Sequence, residues 1–315
     1  MLRVQNLKKS YSNIKALKGI NFEVQTGEIY GFVGQNGAGK TTTMRIMTGL
    51  LRADSGSVEF NGTDLLKSTK QMKKVTGYVP DYFGVYNNLK AIEYMEFFAS
   101  MYGLYGKEAR GRCMRMMDMF NVADKAEAYV DEFSRGMQQK LCMARALLHD
   151  PDLLILDEPT SGMDPQSRIE IKELLKELGN TGKTIIISSH ILPELSEMCD
   201  AIGIIDNGQM LFQGSMDDII SAVNVSNPLI LRVLDKKDEA ARLLREHPLT
   251  QALSIDGYDM QITFMGNADD EARLLEQMVS RGIKVMSFGR KRDNLEAVFM
   301  RITNQEEERS KRSRA

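Results

Sequence analysis

The chain is short of cysteine, of net charge and of long apolar runs, and each shortage closes off a class of protein. Three cysteines in 315 residues, Cys113, Cys142 and Cys199, are odd in number, scattered and without metal-ligand spacing. They exclude a disulfide framework and favour free thiols in a reducing compartment. A formal charge of −2 supplies no electrostatic footprint for nucleic acid or an anionic surface, so no nucleic-acid partner is expected. No apolar run approaches the roughly 18 residues a membrane-spanning helix needs. Leu153–Leu156 and Thr184–Ile187 have the length of buried strands instead. Met1–Asn6 lacks the apolar core of a signal peptide, so a cytoplasmic location without a membrane span is expected. At 43% hydrophobic and 27% charged residues, the remainder is ordinary globular composition.

Short β-rich runs alternate with helical patterns through the first two-thirds, which predicts an α/β fold with a mostly parallel sheet covered by helices. Strands are expected at Ile29–Val33, Leu153–Leu156, Thr184–Ser188 and Ala201–Asp206, all apolar, with a helix at Thr41–Gly49 after the first. From about Leu89 to Val130 the pattern turns helical and rich in methionine and aromatics, so a helical subdomain is set at about 82–150. Met114, Met116, Met117 and Met119 within it suit core filling better than an adaptable binding surface. A boundary falls near Val225–Pro228. Beyond it, strand, helix, a hairpin turned at Asp256-Gly257, helix and strand follow in the order β-α-β-β-α-β, a ferredoxin-like α+β pattern. The expected division is 1–222, 228–303 and a disordered tail at 304–315, where acidic and basic side chains mix without apolar ones.

Gly34-Gln35-Asn36-Gly37-Ala38-Gly39-Lys40-Thr41 fits G-x-x-x-x-G-K-S/T between an expected strand and helix. Glycines let backbone N–H groups converge on phosphate oxygens, and the following helix adds its positive dipole end. Residues Gly34, Asn36, Gly37, Ala38, Gly39, Lys40, Thr41 and Thr42 are therefore candidate nucleotide-binding residues. Lys40 would reach the β- and γ-phosphates of a nucleoside triphosphate, and the Thr41 hydroxyl would bind Mg²⁺. The run Leu153–Leu156 ends in two carboxylates. Asp157 is suited to the Mg²⁺ shell, and Glu158 to accepting a proton from an attacking water.

Between these motifs, Phe133-Ser134-Arg135-Gly136-Met137-Gln138-Gln139 resembles the L-S-G-G-Q signature of ABC-transporter ATPase subunits, keeping Ser134, Gly136 and Gln138. The resemblance, carried by several motifs over roughly residues 1–220, implies a P-loop ABC ATPase core with an antiparallel β part and a helical subdomain. It implies that Ser134, Gly136 and Gln138 meet the γ-phosphate of ATP held by a second subunit. Tyr11 resembles the aromatic that stacks on adenine, a half-buried strand tyrosine being the other reading. Ser161-Gly162-Met163-Asp164 resembles the loop linking the two ATP sites, which makes Asp164 a candidate. His190 resembles the switch histidine at the γ-phosphate. Asp81, after Gly77-Tyr78-Val79-Pro80, stands where the family usually has Gln. It keeps an oxygen ligand, but one methylene shorter and charged, so its contact with Mg²⁺ is an open question.

The resemblance further implies that two subunits close around two ATP molecules; a homodimer is expected over a heterodimer, and the sequence leaves both a second copy and a paralogue open as the partner. Hydrolysis, with Glu158 and His190 as catalytic residues, would then release them. It also implies a separate integral-membrane permease docked on the helical subdomain at the cytoplasmic face of the membrane. Tyr82, Phe83 and Tyr86 are plausible contacts there, although core packing would look the same. The appended domain, ending near Asn294–Arg301, resembles exporter-type subunits. The competing reading is a soluble ABC-type ATPase acting on ribosomes or nucleic acid. The single cassette, the absence of sustained heptads and the near-neutral charge speak against it. A non-hydrolysing regulator is opposed by the intact set of Lys40, Asp157, Glu158 and His190.

Overall fold

A computed structural model describes residues 1–82, 84, 86, 88–215 and 228–290. The chain falls into two units, 1–214 and 215–315. The expected boundary between 222 and 228, Phe83, the segment 294–301 and the tail lie outside the described residues.

In the first unit, β1 (Leu2–Tyr11) and β2 (Ile14–Val24) form an antiparallel ribbon. They are followed by β3 (Ile29–Val33), α1 (Lys40–Met47), β4 (Ser55–Phe60), the two-residue β5 (Thr63–Asp64), α2 (Thr69–Val75) and β6 (Thr76–Val79). Strands β2-β1-β4-β5 make one sheet. The alternating burial of β2, with Leu17, Ile20, Phe22 and Val24 inward, gives that sheet one dry face. This face packs on α1 and on the central sheet through Phe22, whose ring lies 5.6 Å from that of Tyr30 and 5.4 Å from that of Phe32.

Helices α3 (Ala91–Met101), α4 (Gly106–Met119) and α5 (Arg135–Ala146) come next, then β7 (Leu153–Asp157), α6 (Pro165–Asn180), β8 (Thr184–Ser189), α7 (Leu192–Ser196), β9 (Ala201–Asp206) and β10 (Gln209–Ser215). The central sheet has the order β10-β9-β3-β8-β7-β6. Its pairs β3–β8, β3–β9, β7–β8 and β6–β7 are all parallel. Every residue of β3, β7 and β8 is buried, as strands covered on both faces require, which is why they read as unbroken apolar runs. Three strands far apart in sequence end level with one another, since Val33 pairs with Ser189 and Asp157 with Ser188. The carboxyl ends of such strands are where open α/β sheets bind ligands. The three helices α3, α4 and α5 pack on one another; Cys113 and Met117 are buried among them, whereas Met119 is exposed.

The second unit runs β11 (Leu229–Val233), α8 (Lys237–Glu246), β12 (Thr250–Asp256), β13 (Asp259–Phe264), α9 (Ala268–Ser280) and β14 (Val285–Arg290). Its antiparallel sheet has the order β12-β13-β11-β14, the ferredoxin-like arrangement. Leu229, Leu231, Met260, Ile262 and Phe264 form its core with Leu244, Leu274 and Met278 from the helices. Asn267 and Asp270 start α9 with a reciprocal capping box, each accepting from the other's backbone N–H at 3.0 Å.

Candidate functional site

The glycine loop joins the end of β3 to α1 and needs glycine for two separate reasons. At Gly34 a Cβ would collide with the Ile205 carbonyl oxygen. At Gly39 the backbone has φ +117°, left-handed, and a Cβ would come within 2.8 Å of the Leu17 side chain. Gly34, Ala38, Gly39 and Lys40 are buried, whereas Asn36, Gly37 and Thr41 face solvent and Thr42 is intermediate. The first turn of α1 carries no acidic residue and no side-chain cap, so its N–H groups keep their preference for an anion.

Lys40, only 6% exposed, folds back over the loop. Its Nζ donates to the carbonyl oxygens of Gly34 at 2.6 Å and Gln35 at 3.3 Å and lies 3.9 Å from Glu158 Oε1. Burial lowers its proton affinity; the carboxylates of Glu158, Asp157 and Asp81, in that order, oppose the shift. Asp81 is exposed, yet close enough to contribute to the field at the ammonium.

Asp157 ends β7 at 1% exposure. Its Oδ1 accepts from Ser188 Oγ at 2.6 Å, while its Oδ2 is buried without a hydrogen-bond partner. A spare carboxylate oxygen at Asp157 and the exposed hydroxyl of Thr41 are the hard-oxygen donor chemistry that Mg²⁺ takes, so these residues fit that ion. Glu158, the next residue, has a left-handed backbone at φ 50°, rare for a glutamate and held by its N–H donating to Ser188 Oγ at 3.0 Å and Ser188 O at 3.2 Å. That turn carries the carboxylate to His190, whose Nδ1 is 3.0 Å from each Glu158 oxygen. Burial raises the Glu158 pKa, and His190 and Lys40 counter it. Lys40, Asp157, Glu158 and His190 are thus brought together. Ser188, to which sequence reasoning gave no role, ties two of them through one hydroxyl. Its only signal is a small polar residue closing the apolar run of β8.

A second group forms elsewhere in this unit. Ser134 caps α5, accepting from Met137 N–H at 3.3 Å. Gly136 lies in the first turn with space beside it, the nearest atom to a built Cβ being Met163 Cγ at 3.9 Å. Gln138 turns inward, its Nε2 donating to Val130 O at 3.2 Å. Asp164 caps α6, accepting from Ser167 N–H at 2.9 Å and Ser167 Oγ at 2.7 Å, and these bonds hold its carboxyl below the usual range. The two segments touch: a Cβ at Gly162 would lie 2.9 Å from Arg135 Nε. Glu194 of α7, also without a role in the sequence reading, accepts from Thr160 Oγ1 and Arg168 Nη1, both at 3.0 Å. The loop containing Asp164 is therefore anchored to the helix that follows His190. Tyr11 stands 44% exposed at the end of β1, with Lys9 Nζ 5.8 Å from its ring centre.

A family model described as ABC transporter matches residues 17–161. The chain is 34% identical, over 96% of its length and 98% of the relative's, to the linearmycin resistance ATP-binding protein LnrL of Bacillus subtilis (strain 168). It is 31% identical, over 97% of its length and 94% of the relative's, to the Nod factor export ATP-binding protein I of Ralstonia nicotianae. Among solved structures, the dimeric post-hydrolysis state of the ATP-binding cassette MJ0796 bound to ADP and phosphate matches with a TM-score of 0.64 at 25% identity, covering 69% of this chain and 99% of that one.

Proposed function

The chain belongs to the ATP-binding proteins of the ABC transporter family, and on that premise we propose that it binds and hydrolyses ATP to drive a separate membrane permease. The observation that carries this reading is the convergence of Lys40, Asp157, Glu158 and His190 at the level ends of β3, β7 and β8. The loop Gly34–Thr41, with Thr42 behind it, cradles the phosphates through backbone N–H groups. The Lys40 ammonium exchanges its two neutral carbonyl acceptors for anionic phosphate oxygens, which adds the attraction of opposite charges to each bond. Glu158 takes the proton of the attacking water, and its raised pKa moves it toward the range in which a general base works best. His190 orients that carboxylate and is within reach of the γ-phosphate side. Mg²⁺ would be held by Thr41 and Asp157, with Asp81 as a further oxygen, and would supply charge neutralisation between the β- and γ-phosphates. Tyr11 offers a ring for adenine.

Ser134, Gly136, Gln138 and Asp164 act on ATP held by a second copy of this chain. The helix N-terminus of α5 supplies the anion site, while Gln138 and Asp164 shape it by fixing the loop and the start of α6. Two copies closed around two ATP molecules separate when loss of the γ-phosphate removes the contacts between them. Among the described residues no helix is long and apolar enough to cross a membrane. A peripheral position on the cytoplasmic face, beneath the permease, accounts for both features, and export is supported by the name of the Nod factor relative. Reconstituting the purified chain with a candidate polytopic permease should yield ATP-dependent phosphate release that rises in the complex. An absence of both hydrolysis and complex formation would overturn the reading.

A further inference from the structure

The loop that joins Glu158 to α6 is gripped from outside itself. Within it, Ser161 N–H donates to Glu158 O at 3.1 Å and Met163 N–H to Thr160 O at 3.2 Å, while Gly162 has a left-handed backbone at φ +74°. These bonds close the turn on itself. Its attachment to the rest of the unit comes from Glu194 of α7, whose two carboxylate oxygens act on opposite ends of the loop. Glu194 Oε2 accepts from the hydroxyl of the buried Thr160 at 3.0 Å, at the near end. Glu194 Oε1 accepts from Arg168 Nη1 at 3.0 Å, and the same guanidinium donates through Nε to Met163 O at 3.1 Å, at the far end.

A staple between α6 and α7 would not need this arrangement. Lys172 and Glu197, one turn further along α6, already pair at 2.5 Å with the Glu197 side chain 67% exposed. The Glu194 side chain is only 14% exposed, and a carboxylate taken that far out of water is a weak source of stability even when paired. Its geometry instead fixes Thr160, Met163 and Arg168 about one loop. That loop carries the outward-facing half-site: Met163 Cγ lies 3.9 Å from a Cβ built on Gly136, and Arg135 lies against Gly162. Lys140 of α5 and Glu170 of α6 pair at 2.8 Å, so the helix that begins at Ser134 is tied to the same helix as the loop.

We infer that Glu194 is a positioning residue that acts in trans: through Thr160, Arg168 and Met163 it sets Asp164 and the turn Ser134–Gly136 in place for the ATP of the second copy. The inference rests on the proposed function and adds to it a residue that lies outside both halves of the site. Two substitutions separate the role of the carboxylate from its bulk. Leucine fills a similar volume and leaves the Thr160 hydroxyl and the Arg168 guanidinium without their acceptor. Glutamine restores both contacts in neutral form, because its amide oxygen accepts from Arg168 while its NH₂ donates to the Thr160 hydroxyl, which can turn to accept.

The test uses the full chain as mixed dimers of two variants, each inactive by itself. The Lys40→Ala chain loses its own site but lends an intact half-site; the Gly136→Asp chain keeps its own site but spoils the half it lends. The one working site of the mixed dimer therefore draws its chemistry from one chain and its trans half from the other. Glu194→Leu in the Lys40→Ala chain should lower phosphate release by about tenfold or more, since a misplacement of about 1 Å can cost about 10²-fold in rate. The same substitution in the Gly136→Asp chain should leave release nearly unchanged. Glu194→Gln should restore most of the loss, and Glu197→Gln, on the exposed ion pair, should have no effect in either chain. Equal losses in the two placements would mark a folding defect and overturn the inference, as would a loss confined to the Gly136→Asp chain or no loss at all. A mixture that fails to hydrolyse ATP with Glu194 intact would sink the two-copy reading itself, and this inference with it.

Discussion

The cluster at the ends of β3, β7 and β8 and the group formed by Ser134–Gln138 with Gly162–Asp164 are built on opposite plans. In the first, Lys40 and Asp157 are buried and the polar groups turn toward one another: Lys40 sits 3.9 Å from Glu158, Ser188 binds both Asp157 and the backbone of Glu158, and the exposed His190 closes the set. In the second, the polar side chains cap their own helices or brace their own loop, and the N-terminal turn of α5 is left facing outward. One region sets a single buried cation, Lys40, among the carboxylates of Glu158, Asp157 and Asp81. The other offers an anion-binding turn and no chemistry of its own, as half of a site would.

That contrast predicts unequal responses to mutation. The largest belongs to Glu158→Gln, which removes the base but keeps the shape: steady-state phosphate release should fall by about 10²–10⁴-fold while ATP binding persists. A fully active variant would break the assignment of chemistry to the first region. Next, Lys40→Ala deletes a buried cation and should weaken ATP binding by about 2–5 kcal/mol in calorimetry; unchanged affinity would count against the phosphate role. Ser188→Ala is smaller. It strips a buried hydroxyl that serves two partners and should cost about 1–3 kcal/mol in denaturant unfolding, with hydrolysis lowered as well. A variant as stable and active as the parent would show that Ser188 is a bystander.

The smallest effect is in pH. Because burial raises the Glu158 pKa, the carboxylate that must be ionised to act as base becomes protonated at a higher pH than an ordinary glutamate. The acid limb of kcat/KM should therefore lie above the usual carboxylate range. His190 lowers that pKa, so the residual activity of His190→Ala should show the limb moved further up in pH. A limb that stays put would sever the link between the two side chains.

Much of the first region was legible before the fold was known, because a strand, a glycine loop and a helix are local and their chemistry follows from spacing. Lys40, Asp157 and Glu158 could be named that way, and the strand Ile29–Val33 follows from its unbroken apolar run. Ser188 could not, because its two hydrogen bonds arise from the register between β7 and β8, which no local pattern encodes. Gln138 and Asp164 were read as nucleotide contacts, and the fold adds that each also holds its own segment, by bonds to Val130 and Ser167. Glu194 was invisible for the same reason as Ser188. Its partners Thr160 and Arg168 lie 34 and 26 residues away in the chain, and only the folding of α7 beside α6 gathers them.

The claim that the second region completes a site on another copy is tested most directly by mixing two inactive variants. Lys40→Ala destroys the first region alone. Gly136→Asp, placed where a Cβ meets nothing closer than 3.9 Å, leaves the fold intact and sets a carboxylate against the incoming phosphate. Each variant alone should release little phosphate. Mixed, one intact Lys40 can face one intact Gly136 across the dimer, and hydrolysis should return. No recovery at any mixing ratio, with mixed dimers verified by affinity pull-down of differently tagged chains, would contradict the account.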